Sequence, residues 1–224
     1  MKQLADGVFQ LRGFPPNAIN AYLAGDVLID AATRRGERRI LRELRGRALS
    51  AHALTHAHAD HQGASSAVCV AFGVPYWVGE RDVDAAEGGP EAVSRHQRPG
   101  PINRFQKRFW TGAGHPVGRA LKEGDTVGDF TVLEVPGHSA GHVAYWRERD
   151  GVLILGDVVN TMNLLTTREG LREPPLLFTP DPARNRVSIR RLAALRPALI
   201  CAGHGPPLRD PETLMAFAES LPTP

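Results

Sequence analysis

Cysteine, lysine and long apolar runs are all scarce in this chain. Of 224 residues only two are cysteine. Cys69 and Cys201 lie far apart and form no Cys-x-x-Cys pair, which excludes a disulfide framework and suits a reducing compartment. No stretch approaches the roughly 20 apolar residues of a membrane span. The N-terminal MKQLADGVFQLRG also lacks the apolar core of a secretory signal, so a cytoplasmic protein with no membrane partner is expected. Charge of one sign is in short supply too. Lys plus Arg number 27 against 24 Asp plus Glu, a formal +3, too mild for a protein devoted to nucleic acid. Neither cysteine sits in a Cys-His motif, so no cysteine nucleophile stands out.

What is there describes an ordinary globular chain, 42% hydrophobic and 23% charged, read as a single domain over 1–224. At this length one core can bury well over half of the unfolded surface. VFQLRG, NAYLAG and VLIDAAT read as strands, the last two joined by a turn at Gly25-Asp26. Residues 34–47 have the spacing of a surface helix ending near Gly46. A strand over 50–55, a helix over 63–73 stopped by Gly73, and the strand PYWVGE follow in α/β rhythm. Further on, ALKEGDTV, FTVLEVPG, HVAYWRER and GVLILGDVV read as strands, with a turn at Asp150-Gly151. A helix over 181–196, the buried strand 198–203 and a helix over 210–220 complete the chain. Two stretches resist this rhythm. Residues 86–119 and 161–180 are rich in Gly, Pro and Arg and read as a candidate lid and a second substrate loop.

The nine histidines are unevenly spread. His56-Ala-His58-Ala-Asp60-His61 directly follows a strand. Side chains two apart on extended backbone point the same way, so His56 and His58 can grip one ion, while Asp60 and His61 swing towards a second. Clustering ionisable groups beside a core strand is costly unless they are paired or metal-bound. His138 in PGHSAGH, Asp157 in LGD and His204 in GHG each end another expected strand, and ligands at the carboxyl edges of neighbouring strands converge in space.

These five blocks, LIDAAT, THAHADH, PGHSAGH, LGD and GHG, resemble in content and order the metallo-β-lactamase superfamily, and among its branches the glyoxalase II-like hydrolases. The resemblance spans nearly the whole chain. It implies an α/β fold of the αββα four-layer kind, two mixed β-sheets flanked by helices, with the metal site along one edge. It makes His56, His58 and His138 ligands of a first metal and Asp60, His61 and His204 ligands of a second, with Asp157 bridging. Two divalent ions follow, most simply zinc, with iron or manganese suiting the same N and O donors. The implied reaction is attack by a metal-bridging hydroxide on the carbonyl of a small ester, thioester or lactone, with Asp60 orienting the water and accepting a proton.

Other residues read more plainly. His142 has a structural place near the site, His52 is a hydrogen-bonded core residue, Cys201 is packing and Ser139 serves its turn. Asn160 and Asn163 are placed to contact a substrate oxygen. Between residues 92 and 119 lie Arg95, Arg98, Arg104, Lys107, Arg108 and Arg119 and no acid, so this segment holds +6 and leaves −3 for the rest of the chain. It reads either as a lid for an anionic or aromatic small-molecule substrate, or as an amphipathic helix over 101–111 with Phe105 and Phe109 turned to the core. Two departures from the family pattern bear on the substrate. GDVVN lacks the Tyr that some lactonases carry after the bridging Asp. Only 20 residues follow His204, against the separate helical extension with which glyoxalase II proper binds glutathione. The competing functions are a phosphodiesterase or nuclease of the same fold, suggested by the basic segment, and a mononuclear iron persulfide dioxygenase.

Overall fold

A computed structural model of the chain describes residues 1–222. Seven strands lie side by side in chain order: β1 (Lys2–Ala5), β2 (Val8–Gln10), β3 (Tyr22–Ala24), β4 (Val27–Ile29), β5 (Ala51–Ala53), β6 (Tyr76–Gly79) and β7 (Arg119–Leu121). β1 to β4 form an antiparallel meander. β4 to β7 run parallel, which demands crossovers. Helices supply them: α1 (Glu37–Glu43), α2 (Ser65–Phe72), and α3 (Val83–Arg95) with α4 (Pro101–Phe109).

The second sheet takes β8 (Thr126–Val127), β9 (Phe130–Glu134), β10 (Val143–Arg147) and β11 (Val152–Gly156). After it come a separate hairpin, β12 (Asn160–Met162) and β13 (Glu169–Arg172), then α5 (Pro182–Ala193), β14 (Leu199–Ala202) and α6 (Pro211–Ser220). The sheet order is β14-β11-β10-β9-β8, with β14 parallel to β11 and the other pairs antiparallel.

Strand periodicity builds four layers from these parts. Val27 and Ile29 pack between the sheets with Val152 and Ile154, whereas Leu28 faces the other way, onto Ile40 of α1 and Val68 of α2. Leu153 and Leu155 pack against Ile189 and Leu192 of α5 and Leu214 of α6. Strands buried on both faces need no polar alternation, which is why GVLIL and ALICA read as continuous apolar runs. The arrangement is the expected αββα sandwich of two mixed sheets. Among the described residues, no helix is long and apolar enough to cross a membrane.

Several expectations change. ALKEGDTV is two strands, β7 and β8, in different sheets. The chain crosses between them at Gly124, where φ is +80°, and Asp125 accepts a hydrogen bond from the Lys122 N–H. Residues 86–119 are largely helical: α3 continues through a kink at Gly89 (φ 61°, ψ −142°), and α4 starts at Pro101. Proline there opens a helix, since its missing N–H would be unpaired in the first turn anyway. The second stretch, 161–180, is no bare loop either. It contains most of the β12–β13 hairpin and a short 3-10 turn at Leu176–Phe178.

Candidate metal centre

β4, β5, β9, β11 and β14 deliver chemistry at their carboxyl ends: Asp30 after β4, the His56–His61 turn after β5, His138 after β9, Asp157 after β11 and His204 after β14. In the hexad, the His61 and Gln62 N–H groups donate to the His58 carbonyl at 3.0 and 2.9 Å, folding the chain back so that Asp60 and His61 leave the line of His56 and His58. Donor atoms of His56, His58 and His138 lie within 4.8 Å of one another, as do those of His56, His61 and Asp157, and those of Asp60, His61 and His204. Asp157 sits in the middle: its Oδ1 is 3.5 Å from His61 Nε2, and its Oδ2 is 3.0 Å from His204 Nε2 and 3.6 Å from His138 Nε2. Gly203 keeps this centre open, because a Cβ there would meet Asp157 Oδ1 at 2.1 Å.

The buried polar atoms fit a metal. Nε2 of His56, His61 and His138 and Oδ1 of Asp157 are buried with no hydrogen-bond partner, an arrangement that costs about 1–3 kcal/mol per atom unless something binds there. Opposite nitrogens are occupied from behind. His61 Nδ1 donates to Asp30 Oδ2 at 2.9 Å, His204 Nδ1 to the Ala18 carbonyl at 2.5 Å, and His138 Nδ1 to Thr179 Oγ1 at 3.1 Å. His56 Nδ1 is 3.1 Å from Thr55 Oγ1, which itself donates to Asp30. Such contacts select the tautomer that leaves Nε2 as a lone pair facing the centre.

Electrostatics divide the donors. Burial pushes His56, His58 and His138 down, keeping them neutral. Burial also opposes charge on His61 and His204, but the carboxylates around them, Asp157 with Asp30 at His61 and Asp157 with Asp60 at His204, together outweigh it, raising His61 well above the usual imidazole range and His204 to about 10. Burial works against the Asp60 carboxylate as well. Hydrogen-bonded His204 and nearby His61 overcome it and hold Asp60 at about 2. Protons on His61 and His204 therefore compete with a cation for the same carboxylates.

The metallo-beta-lactamase superfamily model matches residues 14–204. The chain belongs to that superfamily, and it is a metal-dependent hydrolase. Among curated relatives, the probable metallo-hydrolase YflN of Bacillus subtilis (strain 168) is 29% identical over 83% of this chain and 72% of its own length. A hydroxyacylglutathione hydrolase of Cupriavidus metallidurans is 35% identical over 67% of this chain, which spans only 48% of that relative. A solved structure of TTHA1623 in a di-iron-bound form has a TM-score of 0.68 at 29% identity, covering 96% of this chain and 98% of that one.

All seven donors expected from the sequence of this superfamily member meet at one edge. His142 is buried beside them, its ring 4.5 Å from that of His56, and belongs to none of the three donor groups. His52 is a core residue bonded to the Leu28 carbonyl and Ser65 Oγ. Burial pushes the Cys201 thiol up to about 12. Asn160 lines the cavity over the donors, but Asn163 does not; its Oδ1 accepts from the Leu165 and Thr166 N–H groups and shapes a turn. Two residues escaped the sequence reading. Asp30 is one, holding His61 and the Thr55 N–H. Asp82 is the other, accepting from the Ala57 and Gly141 N–H groups and Ser139 Oγ, so that it ties the hexad to the PGHSAGH loop. Each is an aspartate within three residues of a strand's carboxyl end, and that was the available signal.

Proposed function

We propose that the chain is a dinuclear hydrolase acting on a small ester, thioester or lactone, with His56, His58 and His138 holding one cation, Asp60, His61 and His204 the other, and Asp157 shared. The observation that carries this reading is the set of buried, unpartnered Nε2 atoms around a central carboxylate. Two divalent cations, when bound, lower the pKa of a shared water towards neutrality and polarise the substrate carbonyl. The chain's own part is to position and to hold charge. Asp60 is the most exposed donor among the acidic pair, at 14% against 6% for Asp157, and lines the cavity over the centre. Being ionised, it accepts a hydrogen bond from the attacking water and then its proton. Apolar walls around the donors exclude competing water and strengthen these interactions.

The basic segment gives the phosphodiesterase reading little support. Arg95 and Lys107 pair with Asp84 and Glu91 of α3, and Arg119 pairs with Asp125. Elemental analysis of the purified protein, coupled to a panel of acyl, lactam and phosphoester substrates, tests the proposal. Two metals per chain, acyl hydrolysis, and a loss of at least about 100-fold in kcat for Asp60→Ala are expected. Turnover of bis-p-nitrophenyl phosphate alone, or a single iron per chain, overturns it.

A further inference from the structure

The cleft over the donor atoms has two arms of unlike chemistry. One, of about 390 Å³, opens between α4 and the β12–β13 hairpin. Its walls include Ile102, Phe105, Leu164, Leu177 and Phe178, while Gln97, Gln106 and Asn160 are its uncharged polar groups. None of the six basic residues of 92–119 lines it. Helix α4 instead buries Asn103 and Gln106 and leaves Phe105 46% and Ile102 48% exposed, turned to this space and away from the core. Apolar side chains gathered at one cavity mouth mark a ligand surface.

The other arm, of about 550 Å³, lies towards Phe14 and the start of α1, and Arg35 and Arg39 line it. Neither guanidinium has an ion pair or side-chain hydrogen bond among the described residues. Arg35 rests 5.3 Å over the Phe109 ring. Arg39 is half-buried, and the neighbouring acid, Glu43, is already engaged by the N-terminal amine and the Arg12 N–H. Half-buried Arg39 is a partly desolvated cation whose nearest acid is engaged elsewhere, which is unfavourable until an anion arrives, and exposed Arg35 stands beside it on the same wall. Asp60, Trp110, Leu164 and His204 line both arms, so the arms meet over the donor atoms.

We propose that the substrate is bipartite, with an apolar acyl group seated between α4 and the hairpin and, across the scissile carbonyl, a carboxylate-bearing leaving group held by Arg35 and Arg39. The proposal rests on the hydrolase reading above and names its substrate class. A guanidinium's planar fork matches the two oxygens of a carboxylate. For a thioester, water's oxygen bonds to the acyl carbon as the carbon–sulfur bond breaks, and the departing thiolate takes one of water's protons, so no further reactant is required.

The test uses the metal-loaded full chain and four thioesters, acetyl and octanoyl, each on mercaptopropionate and on its amide. In kcat/KM, octanoyl is expected to exceed acetyl, and carboxylate to exceed amide, each by about tenfold or more. Phe105→Ala shrinks the chain-length ratio and Arg39→Gln the carboxylate ratio; Arg35→Gln, at an exposed position, serves should Arg39→Gln fail to fold. Ratios near one in the native protein, or variants that slow all four substrates equally, overturn the proposal. Fluorescence titration with anilinonaphthalene sulfonate, an aromatic anion, separates the two readings. No thioester hydrolysis, with dye binding weakened by both kinds of variant, removes the hydrolase reading and keeps the bipartite cleft. Hydrolysis without either preference does the reverse, and absence of both hydrolysis and variant-sensitive dye binding removes both.

Discussion

Imidazoles at the centre are oriented from behind, and the groups that do this are as specific as the donors themselves. Asp30 supports one donor directly through His61 Nδ1 and another through Thr55, which it holds by both N–H and Oγ1. Replacing it by Asn turns an acceptor towards the wrong partner or offers a weaker one. Asp30→Asn is therefore expected to weaken metal binding by about 10–100-fold, measured by competition against a zinc chelator, and unchanged affinity would refute the orienting role. His52, further back in β5, does a different job. Burial pushes it down to about 4, so the folded chain refuses a proton that the unfolded chain accepts near pH 6.5. Stability then falls as pH drops from about 6.5 to about 4 and levels below that, by up to about 3 kcal/mol. Urea denaturation of His52→Asn against the native protein checks this: the native loss over that window should be larger, and equal losses would contradict it. The seven candidate donors were legible in the sequence because four crowd into one hexad after a strand and three stand beside glycines at other strand ends. Asp30 and Asp82 were not singled out, since a lone aspartate after a strand looks the same whether it caps a turn or anchors an imidazole.

At the scale of elements, periodicity made the buried strands and most helices readable, and caps set their ends. Asp181 Oδ1 accepts from the Arg184 N–H to open α5, and Asp210 Oδ1 accepts from the Glu212 N–H at 3.0 Å to open α6. Each is followed by a proline at the first helical position. Asp210→Ala is expected to cost about 1 kcal/mol and to lower Tm by about 2–4 °C, seen by calorimetry; an unchanged Tm would mean the cap contributes nothing. The α3–α4 region is only partly legible: the helix reading of 101–111 meets α4, whereas α3 has no counterpart in the sequence reading and Phe105 turns out from the core. Gly88-Gly89-Pro90 and Pro99-Gly100-Pro101 look like loop punctuation, yet one kinks a helix and the other starts one. The basic residues of 92–119 do not line the cavity over the donors. A window beginning at residue 92 omits Asp84, which pairs with Arg95 within α3, and Glu91, which pairs with Lys107 of α4.

For the molecule as a whole, two sheets brought face to face place five strand ends on one edge, and a cation there would bind residues spread over some 150 positions of chain. Metal bound only by the folded state stabilises it by about 4 kcal/mol at a thousandfold excess over Kd. Chelation, with metal loss verified by elemental analysis, is thus expected to lower Tm by on the order of 10 °C, and an unmoved Tm would sink the idea that the centre is occupied in the native fold. The sequence by itself determined most of the strands and helices and the candidate donors beside them, because strand periodicity, turn glycines and ligand spacing are local properties. Only the tertiary structure decided what faces the cleft. Phe105 opens onto a cavity and the basic residues turn elsewhere, because helix α4 buries its polar Asn103 and Gln106. Arg35 and Arg39 gain a role only where the start of α1 meets Asp60 and His204, a proximity set by packing distant segments and written in no local pattern.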